Sequence, residues 1–173
     1  MADSCGGFDT CTVSTVASFG NTRATPDVGA RMDIADALAF ASVNRRGVLA
    51  TQKRDGRPQL SNVTHGVGDD GVVRVSITAD RAKFVNLRRD PRASLHVSQD
   101  DFWAYAVLEG DVELSPVTAD PNDDTCDELV ALYRSLAGEH PNWAEYRQAM
   151  VDEGRLLARV TPTSVVGQIN SGG

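Results

Sequence analysis

Gly47-Val48-Leu49-Ala50-Thr51-Gln52, the turn Arg54-Asp55-Gly56-Arg57-Pro58 and the run from Gln59 to Val67 decide the fold of this 173-residue chain. Asp-Gly between two such runs is a hairpin signal, because glycine tolerates the positive φ that tight hairpin turns demand. A second turn, Gly68-Asp69-Asp70-Gly71, leads into Val72-Val73-Arg74-Val75-Ser76-Ile77-Thr78 and completes a three-stranded antiparallel meander.

Upstream of the meander, Asp33 is a helix N-cap, and Ile34, Ala37, Leu38 and Ala41 recur at i, i+3, i+4 and i+7, so a helix is expected to end near Asn44. Residues 1–31 are rich in Ser, Thr, Gly and Ala without a period of 2 or 3.6, the composition of a segment that buries too little apolar surface to offset its ordering entropy. They are expected to form a disordered extension, with 32–169 as one domain and 170–173 as a tail. Met32, just before the first periodic segment, leaves a downstream start site open.

Downstream, Thr78 or Asp80 is expected to cap a short helix over residues 82–89, with Phe84 and Leu87 facing the core and Pro91 ending it. Strands are expected from Ala93 to Ser98 and from about Trp103 to Leu114, with Gly110 marking a bend or bulge. Pro121, Asp123 and Asp124 open a helix in which Leu129, Leu132, Tyr133 and Leu136 repeat at helical spacing. A further helix covers about Asn142 to Asp152, and two strands, Arg155–Val160 and Ser164–Ile169, flank Pro162. Six or seven strands in antiparallel hairpins, with the helices grouped, give a mainly β (α+β) barrel and not a doubly wound parallel sheet.

A hydrophobic fraction of 41% supplies one real core, and a net charge of -7 argues against general binding to nucleic acid or anionic membrane. No apolar stretch approaches the ~20 residues that cross a bilayer, and the first thirty residues lack a basic stretch followed by an apolar one, so a cytoplasmic location is expected. Cys5, Cys11 and Cys126 imply no disulfide framework, and His65, His96 and His140 are scattered, so no metal site is expected.

Catalytic triads, nucleophile elbows, Walker loops and Gly-x-Gly-x-x-Gly are missing. One window reverses the charge of the chain: Arg81, Lys83, Arg88, Arg89 and Arg92 against Asp90 give a net +4 between residues 81 and 92. Cations at a helix N-terminus, where backbone N–H groups are free, suit a phosphate. For Arg88, Arg89 and Arg92 the simpler explanation is pairing with the many acids. Lys83 is one of only two lysines, with Lys53, among seventeen Lys and Arg residues, and its compact ammonium fits a phosphate role. Asp80 beside it would repel an anion unless it turned inward as the cap.

Trp103 and Tyr105, two apart on an expected strand, would share a face and offer a wall for a planar ring, with core packing as the competing explanation. Gln59, Ser61 and Asn62 put polar groups where an alternating strand should be apolar on one side. That pattern fits an edge approached by a polar heterocycle, or a solvated face.

These segments resemble a known family, the flavin/deazaflavin oxidoreductases with a pyridoxamine 5'-phosphate oxidase-like split β-barrel, and within it the actinobacterial subgroup that binds coenzyme F420. The similarity covers about residues 34–169. It is carried by Gly47–Thr51, by Asp55–Val63, by Arg81-Ala82-Lys83 with Asn86–Ser94, by Trp103–Val107 with Glu109-Gly110, and by Leu132-Tyr133-Arg134 with Ala137–His140. The resemblance implies a homodimer with cofactor sites at the subunit interface. It places Gln59, Leu60, Ser61, Asn62, Ser76 and Ile77 along the ring and its side chain, Arg81, Ala82 and Lys83 at the phosphate, and Trp103, Ala104 and Tyr105 over the pocket from the partner chain. It further implies hydride transfer between reduced F420 and a small organic acceptor, with FMN as the alternative cofactor and a non-catalytic F420 carrier as the alternative role. It names no catalytic residue.

Overall fold

The computed structural model describes residues 32–169. The elements run α1 (Ile34–Val43), β1 (Arg46–Gln52), β2 (Pro58–Val67), β3 (Val73–Thr78), α2 (Ala82–Arg89), β4 (Arg92–Ser98), β5 (Tyr105–Leu114), α3 (Asp124–Ala137), α4 (Trp143–Asp152) and β6 (Arg155–Gln168). The six strands close into an antiparallel barrel in the order β1-β2-β3-β6-β5-β4. The expectations for residues 1–31 and 170–173 lie outside the described residues.

The barrel forms because its strands alternate. Val73, Val75 and Ile77 of β3, Leu95 and Val97 of β4, and Leu156, Ala158 and Val160 of β6 turn inward and are buried with Leu49, Ala106 and Leu108. Each large side chain among them contributes roughly 1.5–3 kcal/mol by leaving water. The β1–β2 turn uses Gly56 at φ 84°, the left-handed value expected of it.

Two helices close opposite ends of the barrel. Helix α1, capped by Asp33 accepting from the Asp36 N–H at 2.8 Å, buries Ala37, Phe40 and Ala41, and its Ala41 carbonyl meets His65 Nε2 at 3.2 Å. Helix α2 buries Leu87 and bonds through Asn86 to Thr51, at the far end of β1. Helices α3 and α4 form a second, smaller core against β6 from Cys126, Leu129, Leu132, Met150 and Leu157.

Three expectations need correction. The last segment is one strand, β6, not two: Gly110 pairs with Pro162 while Glu109 pairs with Ser164, so Thr163 is an extra residue in a bulge that carries the strand past the proline. Helix α2 has Arg81 at its N-cap with no side-chain cap, because Thr78 Oγ1 donates to the Asp80 carboxylate instead. Trp103 precedes β5. Phe102 adopts φ 64° and Asp101 accepts the Trp103 N–H at 3.0 Å, a tight turn that ends the strand at Tyr105, so Trp103 and Tyr105 do not share a strand face.

Candidate functional site

The split in the barrel positions the site. Strand β2 pairs with β1 from Pro58 to Thr64, but with β3 only over His65–Val67 against Val73–Val75. The first half of β2 therefore presents an unpaired edge toward β3, the local geometry expected from its polar run. Helix α2 follows β3 directly and starts beside this opening.

Gln59 and Ser61 face inward, half-buried, while Leu60 and Asn62 face out and are exposed. The inward pair is polar because it is bonded. Thr51 Oγ1 donates to Gln59 Oε1 at 3.1 Å, and Gln59 Nε2 donates to Leu60 O at 2.8 Å and to Ser61 Oγ at 2.7 Å. Asn86 Nδ2 donates to Thr51 Oγ1 at 3.1 Å, and Arg89 Nη2 bonds the Gln52 carbonyl and lies 3.5 Å from Asn86 Oδ1. Sequence reasoning missed Thr51 and Asn86. A threonine at an inward strand position beside Leu49 is the faint signal that was available.

At the start of α2, Lys83 is half-buried and makes no ion pair or hydrogen bond among the described residues. Burial, then the positive charge of Arg81, holds its ammonium below the ordinary lysine range, with Asp80 pulling weakly the other way. Arg81 is exposed and lies 3.5 Å from Asp80. Asp80 does not turn inward. Its carboxylate stays in solvent and is held below its usual range by the Thr78 hydroxyl and by Arg81 and Lys83. Ala82 is exposed at the first helical position. The rest of the basic window is committed elsewhere: Arg92 pairs with Asp90 at 2.7 Å, Arg88 lies over the Phe84 ring, and Arg89 is bonded as above.

The other expected residues divide. Ser76 faces outward and accepts from Arg155 Nη1 at 3.2 Å. Ile77 and Ala104 are buried in the core, so they have only backbone to offer a ligand. Trp103 is 74% exposed, and Tyr105 stacks on His96 with ring centroids 5.8 Å apart. Register separates these aromatics from α2. Gly47 pairs with Val97, which pairs with Ala106, whereas Thr51 pairs with Ala93, which pairs with Gly110. Tyr105, one residue beyond Ala106, thus stands about 17 Å along the sheet from the Thr51 end. One chain does not bring its own Trp103 and Lys83 together. Among the described residues no group of three or more His, Cys, Asp or Glu side chains could hold a metal.

The sequence profile described as pyridoxamine 5'-phosphate oxidase matches residues 34–168. The chain belongs to that family. Solved structures of like fold include a conserved hypothetical protein from Mycobacterium tuberculosis, with a TM-score of 0.62 and 23% identity over 82% of this chain and 93% of that one. A protein named F420 reductase superposes with a TM-score of 0.57 and 24% identity over 74% of this chain and 94% of the other. An FMN-binding, pyridoxamine 5'-phosphate oxidase-related protein from Nostoc punctiforme gives 0.53 and 18% over 80% and 84%. The pyridoxamine 5'-phosphate oxidase-like barrel is therefore the setting of the opened β2 edge and the Lys83 ammonium. No helix among the described residues is long and apolar enough to cross a membrane.

Proposed function

We propose that this chain is an oxidoreductase subunit that binds coenzyme F420 in preference to FMN, gripping the cofactor phosphate at Arg81 and Lys83. The observation that carries the proposal is the half-buried Lys83 ammonium with no carboxylate partner, beside an α2 N-terminus that no side chain caps. Partial burial of a lone cation is unfavourable, and free N–H groups at a helix start attract negative charge. An anion seated there answers both. The phosphate of a flavin-type cofactor fits this donor set, and the edge of β2 from Gln59 to Asn62 would lie along its polar ring and side chain.

When bound, the deazaflavin supplies a hydride donor. The chain's own residues bind and orient it: Arg81 and Lys83 neutralise the phosphate, Ser61 and Gln59 offer hydrogen-bonding groups, and the barrel wall excludes water from one side. No side chain is assigned a covalent role.

The proposal includes a homodimer working in the cytoplasm. Asn62, Val48, His96, Val107 and Val166 form one row across five strands on the outer sheet face, where Val166 is 57% and nearby Leu60 63% exposed. A row with valines at three of its five positions, Val48, Val107 and Val166, is suited to covering by a second copy. A two-fold partner would also bring its Trp103 and Tyr105 toward the opening that one chain's own copies do not reach.

Titrating the purified protein with F420 and with FMN, read by tryptophan quenching, tests the cofactor. Tight F420 binding is expected, and FMN binding without F420 binding would reverse the preference. Oxidation of reduced F420 by at least one member of a panel of quinones, enones and tetrapyrroles is expected of an enzyme. Binding with no turnover across the panel would leave a carrier.

A further inference from the structure

We propose that Thr51 and Asn86 are positioning residues that set the direction of the hydrogen bonds reaching Ser61, so that its hydroxyl hydrogen is left for an oxygen acceptor on the bound cofactor. This rests on the cofactor-binding role just proposed.

The polarity follows from two fixed ends. At one end, the Leu60 carbonyl can only accept, so the group 2.8 Å from it is the Gln59 amide nitrogen, and Gln59 Oε1 must face Thr51. At the other end, the Arg89 guanidinium can only donate, so the atom of Asn86 nearest it at 3.5 Å is Oδ1, and Asn86 Nδ2 faces Thr51. Between these ends the Thr51 hydroxyl has one solution. It accepts from Asn86 and gives its hydrogen to Gln59 Oε1. Gln59 Nε2 then donates to Ser61 Oγ at 2.7 Å.

Ser61 Oγ thus receives an N–H and gives its own hydrogen to no group among the described residues. Ser61 is half-buried on the inward face of β2, in the stretch where the ladder to β3 has ended. Thr51 and Asn86 are 2% and 7% exposed, so water does not compete for their bonds as it would at the surface. Asn86 lies one helical turn after Lys83, on the same side of α2, which ties the network to the proposed phosphate site. If Thr51 lost its hydroxyl, Gln59 Oε1 would lose its donor, and the Leu60 carbonyl alone would hold the amide against turning to take the Ser61 hydrogen. The ligand acceptor is a phosphate oxygen or a ring carbonyl, and comparison of cofactors with and without phosphate separates the two.

Binding of FMN, riboflavin, F420 and the phosphate-free F420 core is measured for the parent, Thr51→Val, Thr51→Ser, Ser61→Ala and the double variant Thr51→Val/Ser61→Ala. Thr51→Val is expected to weaken the cofactor that the parent binds by about 5- to 10-fold, the worth of one hydrogen bond. Thr51→Ser should restore affinity to within about twofold, and Thr51→Val should add less than about twofold once Ser61 is alanine. Weakening confined to the phosphate-bearing ligand of a pair places the phosphate at Ser61, and equal weakening of both members places the ring there. If Thr51→Val does not fold, Asn86→Asp, which removes the donated N–H at nearly constant shape, is expected to show the same coupling to Ser61→Ala. Equal losses with and without the Ser61→Ala change, or no loss at all, would overturn the positioning role while leaving cofactor binding intact. A parent that binds none of the four ligands removes the binding role and this inference with it.

Discussion

Glu128 of α3 reaches Arg74 of β3, with Oε1 2.8 Å from Nε, and the same carboxylate bonds Arg159 of β6. One acid thereby ties the α3–α4 layer to two neighbouring strands of the barrel, and both arginines keep a second acid, Asp70 and Glu113. The Arg159 guanidinium, then Arg74, holds the Glu128 carboxyl below its usual range, with burial opposing. A carboxylate depressed in the folded state stabilises the fold above its unfolded value near 4.5 and loses that contribution as pH falls through the folded value. Glu128→Gln is expected to cost about 1–2 kcal/mol at pH 7, because each arginine keeps its other partner, and less as the pH drops below 4. Urea unfolding at pH 7 and pH 3.5 measures both, and an equal cost at the two pH values would show that packing and not charge is lost.

Gly110 sits where β5 passes the bulge in β6. A Cβ there would stand 2.0 Å from the Thr161 carbonyl oxygen and 2.8 Å from its carbon, both backbone atoms that cannot swing aside. Gly110→Ala is therefore expected to destabilise by about 3 kcal/mol, the upper range for overpacking. Chemical denaturation checks this, and a loss below ~0.5 kcal/mol would mean that β6 shifts freely at Thr163.

The same bulge explains what the sequence could and could not convey. Helix α2 was readable to its bounds, since Phe84 and Leu87 carry the period and Pro91 stops it. The hairpin turn at Gly56 was equally local. Pro162 misled because a proline ordinarily interrupts a ladder, and only the opposing Gly110, more than fifty residues away in the chain, lets the strand continue. The site divides in the same way. The Arg81–Lys83 charge reversal is local and visible, whereas the bond from Asn86 to Thr51 joins positions 35 residues apart, and neither residue type is unusual where it stands. Trp103 was misplaced because a left-handed Phe102 has no sequence signature.

Lys83 offers opposite predictions with and without ligand. In the free protein its pKa is lowered by burial and by Arg81, so between that value and the ordinary 10.5 the unfolded chain binds more protons and stability rises with pH. Lys83→Met, which keeps the aliphatic stem, should therefore leave the free protein at least as stable as the parent at pH 7. Lys83→Ala should weaken binding of the cofactor by ~1.5–3 kcal/mol, roughly 10- to 150-fold in dissociation constant. Binding should also fade as pH rises through the lysine's lowered value, since only the ammonium attracts the phosphate. Thermal unfolding and a fluorescence titration across pH 7 to 10.5 report these effects, and unchanged affinity in Lys83→Ala would remove this residue from the site.

The outer sheet face makes the remaining prediction. Val166 lies beside Val107, which lies beside His96, and these side chains face away from the barrel core. A carboxylate at Val166, the β6 end of this row, would be buried without a partner on a covered face, whereas the same group on a solvated face is harmless. Val166→Asp is therefore expected to convert a dimer to a monomer in sedimentation while leaving the circular dichroism of the barrel unchanged. If the aromatic turn at Trp103 closes the opening of the opposite protomer, the monomer should also lose cofactor affinity although Arg81, Lys83 and Ser61 are untouched. A Val166→Asp protein that still sediments as a dimer would exclude this face as the interface, and a monomer with full affinity would show that one chain forms the site alone.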